Sequence, residues 1–308
     1  MKRALSISAT LAAAATALTI CAGPVAADPP PVTGPIQPDW WTAMPYSLEH
    51  PEAIPQGMND WNCTPNAAHP RPLILVHGYL NNVYPNWSMY SPALKADGYC
   101  VFGLSYGGAE GSPIQAMGNM RASAGQLAQF VDRVLAATGT TEVDLVGHSE
   151  GGLLSLYYIN NLGGADKVNT NVGLEPATNG IAFHGLLPAL HANPTLKFLV
   201  GLYSASGQDF TAGSPFVREV AANGMTRPQV RYTTIMSATS LVITVPEGQL
   251  PPGPNVENVV IQDVCAEDHV DHVGVIYDDI SLRLVRNALD PATAQPPVCH
   301  PVSPLRTK

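Results

Sequence analysis

Six short runs along the chain, residues 73–76, 100–104, 143–146, 171–174, 230–236 and 259–261, are apolar or β-branched nearly throughout instead of at every second position. A strand with one face in water alternates, whereas a run without alternation belongs to a strand covered on both faces, which implies a parallel sheet between layers of helix. The segments between the runs supply those helices. Leu127, Phe130, Val131, Val134 and Leu135 recur at helical spacing and stop before Gly139, a residue suited to a left-handed helix end. Leu282, Val285 and Leu289 repeat the spacing after Asp278 and Asp279, which can cap that helix. The pattern predicts an α/β fold with a mostly parallel central sheet flanked by helices.

The third run passes straight into Gly147-His148-Ser149-Glu150-Gly151 and then into helix-like residues 153–158. A strand, Gly-x-Ser-x-Gly and a helix in that order are the sequence form of a nucleophile elbow. The turn is so tight that the positions flanking the serine must lack large side chains, and the serine is pushed out where a base can reach it. Ser149 is therefore the candidate nucleophile.

Other features bound the setting of that chemistry. Lys2 and Arg3, an apolar run over residues 4–22 and Val25-Ala26-Ala27 read as a secretory signal peptide over residues 1–27. Its removal takes the formal charge from −9 to about −11, an acidic surface that argues against a nucleic-acid partner. Cys21 leaves with the signal, and Cys63, Cys100, Cys265 and Cys299 remain as an even set suited to an oxidising compartment. Four cysteines allow three connectivities, of which Cys63–Cys100 and Cys265–Cys299 are favoured because each staples a loop or terminus to a nearby strand. The expected localisation is secreted and extracellular, and the expected state is a monomer. Residues 28–70 are Pro-rich without periodicity, which predicts an extended arm on the domain with no chemistry of its own. Residues 71–308 form the α/β domain. Within it, about 176–228 is an insertion with apolar runs at 181–190 and 196–202, either a cap over the site that meets lipid or a helix pair packed as core.

Acyl transfer to Ser149 needs a base and donors aimed at an oxyanion. His272, after Asp271 and beyond the last run, is the candidate base, since the chain order in such folds is serine, acid, histidine. His269 is a neighbour in the same loop. Asp268, His269, Asp271 and His272 cluster without the helical spacing of metal ligands, so no metal is expected. The donors are the backbone N–H groups of Glu150, after the nucleophile, and of Tyr79 in His77-Gly78-Tyr79, where Gly78 permits close approach. The Glu150 side chain is expected to point away from the base and to act as a carboxylate favouring the helix N-terminus.

Several further motifs carry a family resemblance. Val76-His77-Gly78, Asn86-Trp87-Ser88, Pro92-Ala93-Leu94-Lys95, residues 98–102 and 147–151, Leu162-Gly163-Gly164-Ala165 and residues 287–291 resemble the secreted actinobacterial lipases of the class 2 lipase family, related to the yeast lipase B type. The resemblance runs from about Pro72 to Pro291 and implies an α/β-hydrolase fold, hydrolysis of carboxylic esters such as acylglycerols, and no cofactor. It also matches the two disulfide pairs. In that family the catalytic Asp follows the fifth strand, where this chain reads Ser237-Ala238-Thr239-Ser240, so Ser240 stands in place of the acid. Glu175, at the end of the preceding strand, is the best substitute. Asp263, Glu247 and Asp268 are poorer ones because none ends a central strand. Tyr79 stands where the family often carries Thr or a small residue, and its ring is expected to narrow the acyl pocket.

The sequence thus points to a serine ester hydrolase, a triacylglycerol lipase or carboxylesterase, acting on an acyl ester or lipid. Two alternatives remain: a catalytically weakened hydrolase fold that binds an acyl or apolar ligand, motivated by Ser240, and an acyltransferase.

Overall fold

A computed structural model describes residues 32–183 and 204–305. The expected signal peptide, the start of the arm and most of the apolar runs 181–190 and 196–202 lie outside the described residues. Six parallel strands, β1 (Leu73–Val76), β2 (Val101–Leu104), β3 (Val143–His148), β4 (Val168–Leu174), β5 (Arg231–Met236) and β6 (Val256–Val260), lie in the order β2-β1-β3-β4-β5-β6. This is the α/β-hydrolase fold with its sheet between helices. Each strand overlaps one of the six apolar runs. The last is displaced, because β6 starts at Val256 and Ile261 already begins a helix.

The described helices are α1 (Trp40–Glu49), α2 (Val83–Trp87), α3 (Tyr90–Ala96), α4 (Met120–Thr138), α5 (Glu150–Asn161), α6 (Ala205–Asp209), α7 (Pro215–Ala221), α8 (Val245–Gly248), α9 (Ile261–Val264) and α10 (Asp279–Leu289). Successive side chains on a strand face opposite ways, and β1 divides accordingly. Ile74 and Val76 join one apolar core with Leu127, Val131 and Val134 of α4 and Leu153 of α5. Leu73 and Leu75 join the other with Trp87 of α2, Leu94 of α3 and Val285 of α10. Burial on both faces is the reason the strands do not alternate in sequence. The helix ends follow local chemistry: α4 starts at Asn119, whose side chain accepts from the N–H groups of Arg121 and Ala122, and stops at Gly139 with φ 68°. Asp278 caps α10 by accepting from the Ser281 N–H.

The arm departs from expectation. Residues 40–49 form α1 instead of extended chain, capped by Asp39, whose carboxylate accepts from the Thr42 N–H at 2.8 Å. Ala43 is buried in the second core, and Ser47 Oγ accepts from Asn82 Nδ2 at 2.6 Å. Pro45 sits inside the helix, which is why the sequence reads as irregular. Both disulfides, Cys63–Cys100 and Cys265–Cys299, are formed. Of the insertion, α6 and α7 are described. Arg121 of α4 holds Glu219 of α7 at 2.6 Å. No described helix is long and apolar enough to cross a membrane.

Candidate active site

Ser149 stands between β3 and α5 with φ 54° and ψ −120°, a backbone conformation that costs a side-chain-bearing residue energy and persists only where the surroundings enforce it. The enforcement is visible in the flanking glycines. A Cβ on Gly147 would lie 2.6 Å from the Gly151 carbonyl oxygen, and one on Gly151 would run into the carbonyl oxygens of Val76 and His77. The Ser149 N–H is spent on the Leu174 carbonyl at 3.1 Å.

His272 Nε2 lies 2.9 Å from Ser149 Oγ, and His272 Nδ1 lies 3.2 Å from Glu175 Oε2. Glu175 directly follows β4, has no exposed surface and is itself strained, with φ 46°. Its backbone N–H donates to the Ile235 carbonyl at 2.8 Å, and its Oε1 accepts from the Ser237 N–H. With the Glu175 carboxylate accepting from Nδ1–H, the tautomer that remains leaves Nε2 as an acceptor for the serine proton.

The residues Ser237-Ala238-Thr239-Ser240 do other work. The hydroxyls of Ser237 and Thr239 both donate to the Val270 carbonyl, tying the His272 loop to the end of β5. Ser240 Oγ accepts from the N–H groups of Val242 and Ile243 at 3.4 Å and forms a turn. The other carboxylates are also placed away from the histidine. Glu247 accepts from the Ala182 and Thr244 N–H groups, and Asp263 lies exposed on α9. Asp268 accepts from the Val270 N–H and Asp271 from those of Val273 and Gly274, so both shape the loop. His269 is exposed, and its N–H donates to the Val302 carbonyl. The loop is further anchored by the Cys265–Cys299 bond.

The loop after β1 approaches the nucleophile closely: a Cβ on Gly78 would lie 3.1 Å from Ser149 Cβ. Buried His77 has its pKa lowered to about 4 by desolvation, so it is neutral, and its Nδ1–H donates to the Gly78 carbonyl at 2.9 Å. In a trans peptide the N–H points opposite the carbonyl, so this bond also sets the direction of the Tyr79 N–H. The Gly78 N–H donates to Asn86 Oδ1 at 3.1 Å, which also accepts from Asn81 Nδ2 at 2.9 Å. His148 Nδ1 lies 3.0 Å from the same oxygen, and its Nε2 lies 3.0 Å from the His272 carbonyl oxygen. Burial pushes the His148 pKa well below the usual histidine range, and a neutral ring carries one N–H, so it serves one of these acceptors at a time. Asn86 and His148 thus join the Gly78 loop to the backbone of His272. Sequence reasoning gave neither residue a role, since polar side chains 62 positions apart leave no local signature.

The Glu150 side chain corrects an expectation. It does not act as an ionised carboxylate favouring the helix N-terminus, because the residue is 1% exposed and no described group donates to either carboxyl oxygen. The hydroxyls of Tyr106 and Ser206 lie beside it, but their protons go to the carbonyls of His77 and Ala116. Only the protonated acid can bond to them, by donating. Desolvation accordingly raises the Glu150 pKa well above the usual carboxylate range. The Glu150 N–H, on the first residue of α5, has no intrahelical acceptor.

Ser149, Glu150 and His272 open onto a cavity of about 900 Å³. Its walls are mostly apolar, and Tyr79 stands in one of them with its ring edge-on to Phe210 at 5.0 Å.

Comparison with known proteins agrees with this fold. The family described as alpha/beta hydrolase fold matches residues 71–219. Triacylglycerol lipases of Pseudarthrobacter phenanthrenivorans and Burkholderia plantarii are each 38% identical to this chain over 96 residues, 30% of it and 28% and 25% of theirs. The chain therefore spans about a quarter of the length of these relatives. Among solved structures, Aspergillus fumigatus lipase B superposes with a TM-score of 0.61 at 18% identity, covering 79% of this chain and 56% of that one.

Proposed function

We propose that this α/β-hydrolase is a secreted serine ester hydrolase, a triacylglycerol lipase or carboxylesterase, working through an acyl-Ser149 intermediate. The observation that carries the reading is the contact chain from Ser149 Oγ through the two nitrogens of His272 to Glu175 Oε2. His272 Nε2 takes the serine proton as Oγ attacks the ester carbonyl, and Glu175 holds the ring and stabilises the imidazolium. The N–H groups of Glu150 and Tyr79 serve the oxyanion. Collapse of the tetrahedral intermediate expels the alcohol, which takes its proton from Nε2, and leaves the acyl-enzyme. A water molecule then attacks the acyl carbonyl, giving a proton to Nε2 that returns to Ser149 as the acid leaves.

The lipase relatives and the apolar cavity beside Ser149 support an ester with an apolar acyl part. Two disulfides support an oxidising, extracellular destination. Ser240 motivates the alternative of a weakened fold that only binds its ligand; Glu175 Oε2 at 3.2 Å from His272 Nδ1 supports the catalytic reading instead.

The test is hydrolysis of p-nitrophenyl butyrate by the mature protein beside Ser149→Ala, together with labelling by a fluorophosphonate. Ser149-dependent turnover and labelling are expected. A wild-type rate equal to that of Ser149→Ala, with no label, would overturn the proposal.

A further inference from the structure

One wall of the cavity comes from outside the segment that matches the hydrolase family, which starts at residue 71. Trp40, Met44 and Leu48 of α1 all line the cavity that holds Ser149 and His272. They are spaced four apart, so they form one stripe along a single helix face. Trp40 is partly buried, Met44 in the middle of the stripe is 8% exposed, and Leu48 at its far end is 50% exposed. The helix is fixed to the domain by the Ser47 to Asn82 hydrogen bond and by the Tyr46 ring against Tyr84 at 5.0 Å. Asn82 caps α2, so this anchor reaches the element that carries Asn86. The stripe is thus held in place against the site, and it is apolar along its length.

We propose that α1 is a specificity-determining wall of the acyl site, and that the acyl chain of the ester runs along the Trp40, Met44 and Leu48 stripe toward the rim. This rests on the ester-hydrolase reading above and names its substrate class as esters of long, unbranched acyl chains. A short acyl group leaves the stripe uncovered. Each further methylene that reaches it gains about fourfold in kcat/KM, the equivalent of ~0.8 kcal/mol of burial. The arm therefore carries substrate selection, although its sequence shows no chemical motif.

The experiment is a series of p-nitrophenyl esters, butyrate, octanoate, laurate and palmitate, with wild type, Met44→Trp and Leu48→Ser. Met44→Trp fills the stripe and is expected to lower the palmitate-to-butyrate ratio of kcat/KM by about tenfold or more, the loss of roughly two methylenes of contact. Leu48→Ser, at the half-exposed rim, is expected to lower the same ratio about threefold with unchanged thermal stability. It keeps the test valid if Met44→Trp does not fold. Ratios within twofold of wild type in both variants would overturn the inference while leaving ester hydrolysis standing. If wild type shows no Ser149-dependent turnover of any ester, the functional reading fails instead. Binding of the fluorescent fatty acid cis-parinaric acid to Ser149→Ala then decides the wall: binding weakened about tenfold by adding Met44→Trp upholds it, and equal binding overturns it.

Discussion

Glu150→Gln tests the claim that a carboxylic acid is kept neutral beneath the nucleophile. The folded state holds the Glu150 proton well above the ordinary carboxylate range because desolvation opposes the anion and no described group donates to it. The unfolded chain releases that proton near 4.5. Between those values the unfolded state binds one proton fewer than the folded state, so stability falls as pH rises. The contribution is complete below the unfolded value and is lost progressively up to the folded one. Between the two values the limiting slope is about 1.4 kcal/mol per pH unit. Gln has nearly the same shape and no proton to release. Its stability relative to wild type should therefore climb with that slope, and urea denaturation midpoints for both proteins at several pH values would measure it. Parallel curves would refute the reasoning, because they would mean that Glu150 ionises alike in both states.

Asn86→Ala removes the acceptor shared by Gly78 N–H, Asn81 and His148, and should cost about 1–3 kcal/mol of stability and lower kcat more than it raises KM. Steady-state kinetics beside a thermal melt would check both. Replacing Cys265 and Cys299 together by Ala opens a loop with a sequence separation of 34 and should cost roughly 2–4 kcal/mol in urea denaturation, with a larger fall in activity than the Cys63 and Cys100 double replacement gives, since His272 follows Cys265. Tyr79→Thr removes a ring from the cavity wall while retaining a backbone N–H, and should speed turnover of laurate relative to butyrate esters; an unchanged ratio would count against the ring as a constriction.

The central sheet was legible because strands β1 to β5 are buried nearly throughout, and burial on both faces writes itself as unbroken apolar runs, whereas β6 at the edge is only partly buried and its run is correspondingly displaced. The elbow was legible for a steric reason: Gly147 and Gly151 stand where a Cβ would strike backbone. The proposed acid is marked by no motif: Glu175 stands out only through the missing Asp at Ser240 and its own place at the end of the neighbouring strand. Two features escaped. Helix α1 hides behind Pro45, and its apolar stripe gains meaning only from the cavity it faces. Glu150 reads as an ionised carboxylate at a helix start because the sequence does not reveal that Tyr106 and Ser206 close over it.

The most direct test of the triad is the single-turnover rate of Glu175→Gln on p-nitrophenyl butyrate, set beside His272→Ala and Ser149→Ala. Gln keeps the size of the side chain but loses the charge, and its amide can donate to Nδ1 and hold the ring in the wrong tautomer; the acid-to-amide change in a comparable triad lowers kcat by ~10⁴. A fall close to that of His272→Ala, with the fold retained by circular dichroism, is the predicted result. A rate within a few-fold of wild type would contradict Glu175 as the catalytic acid.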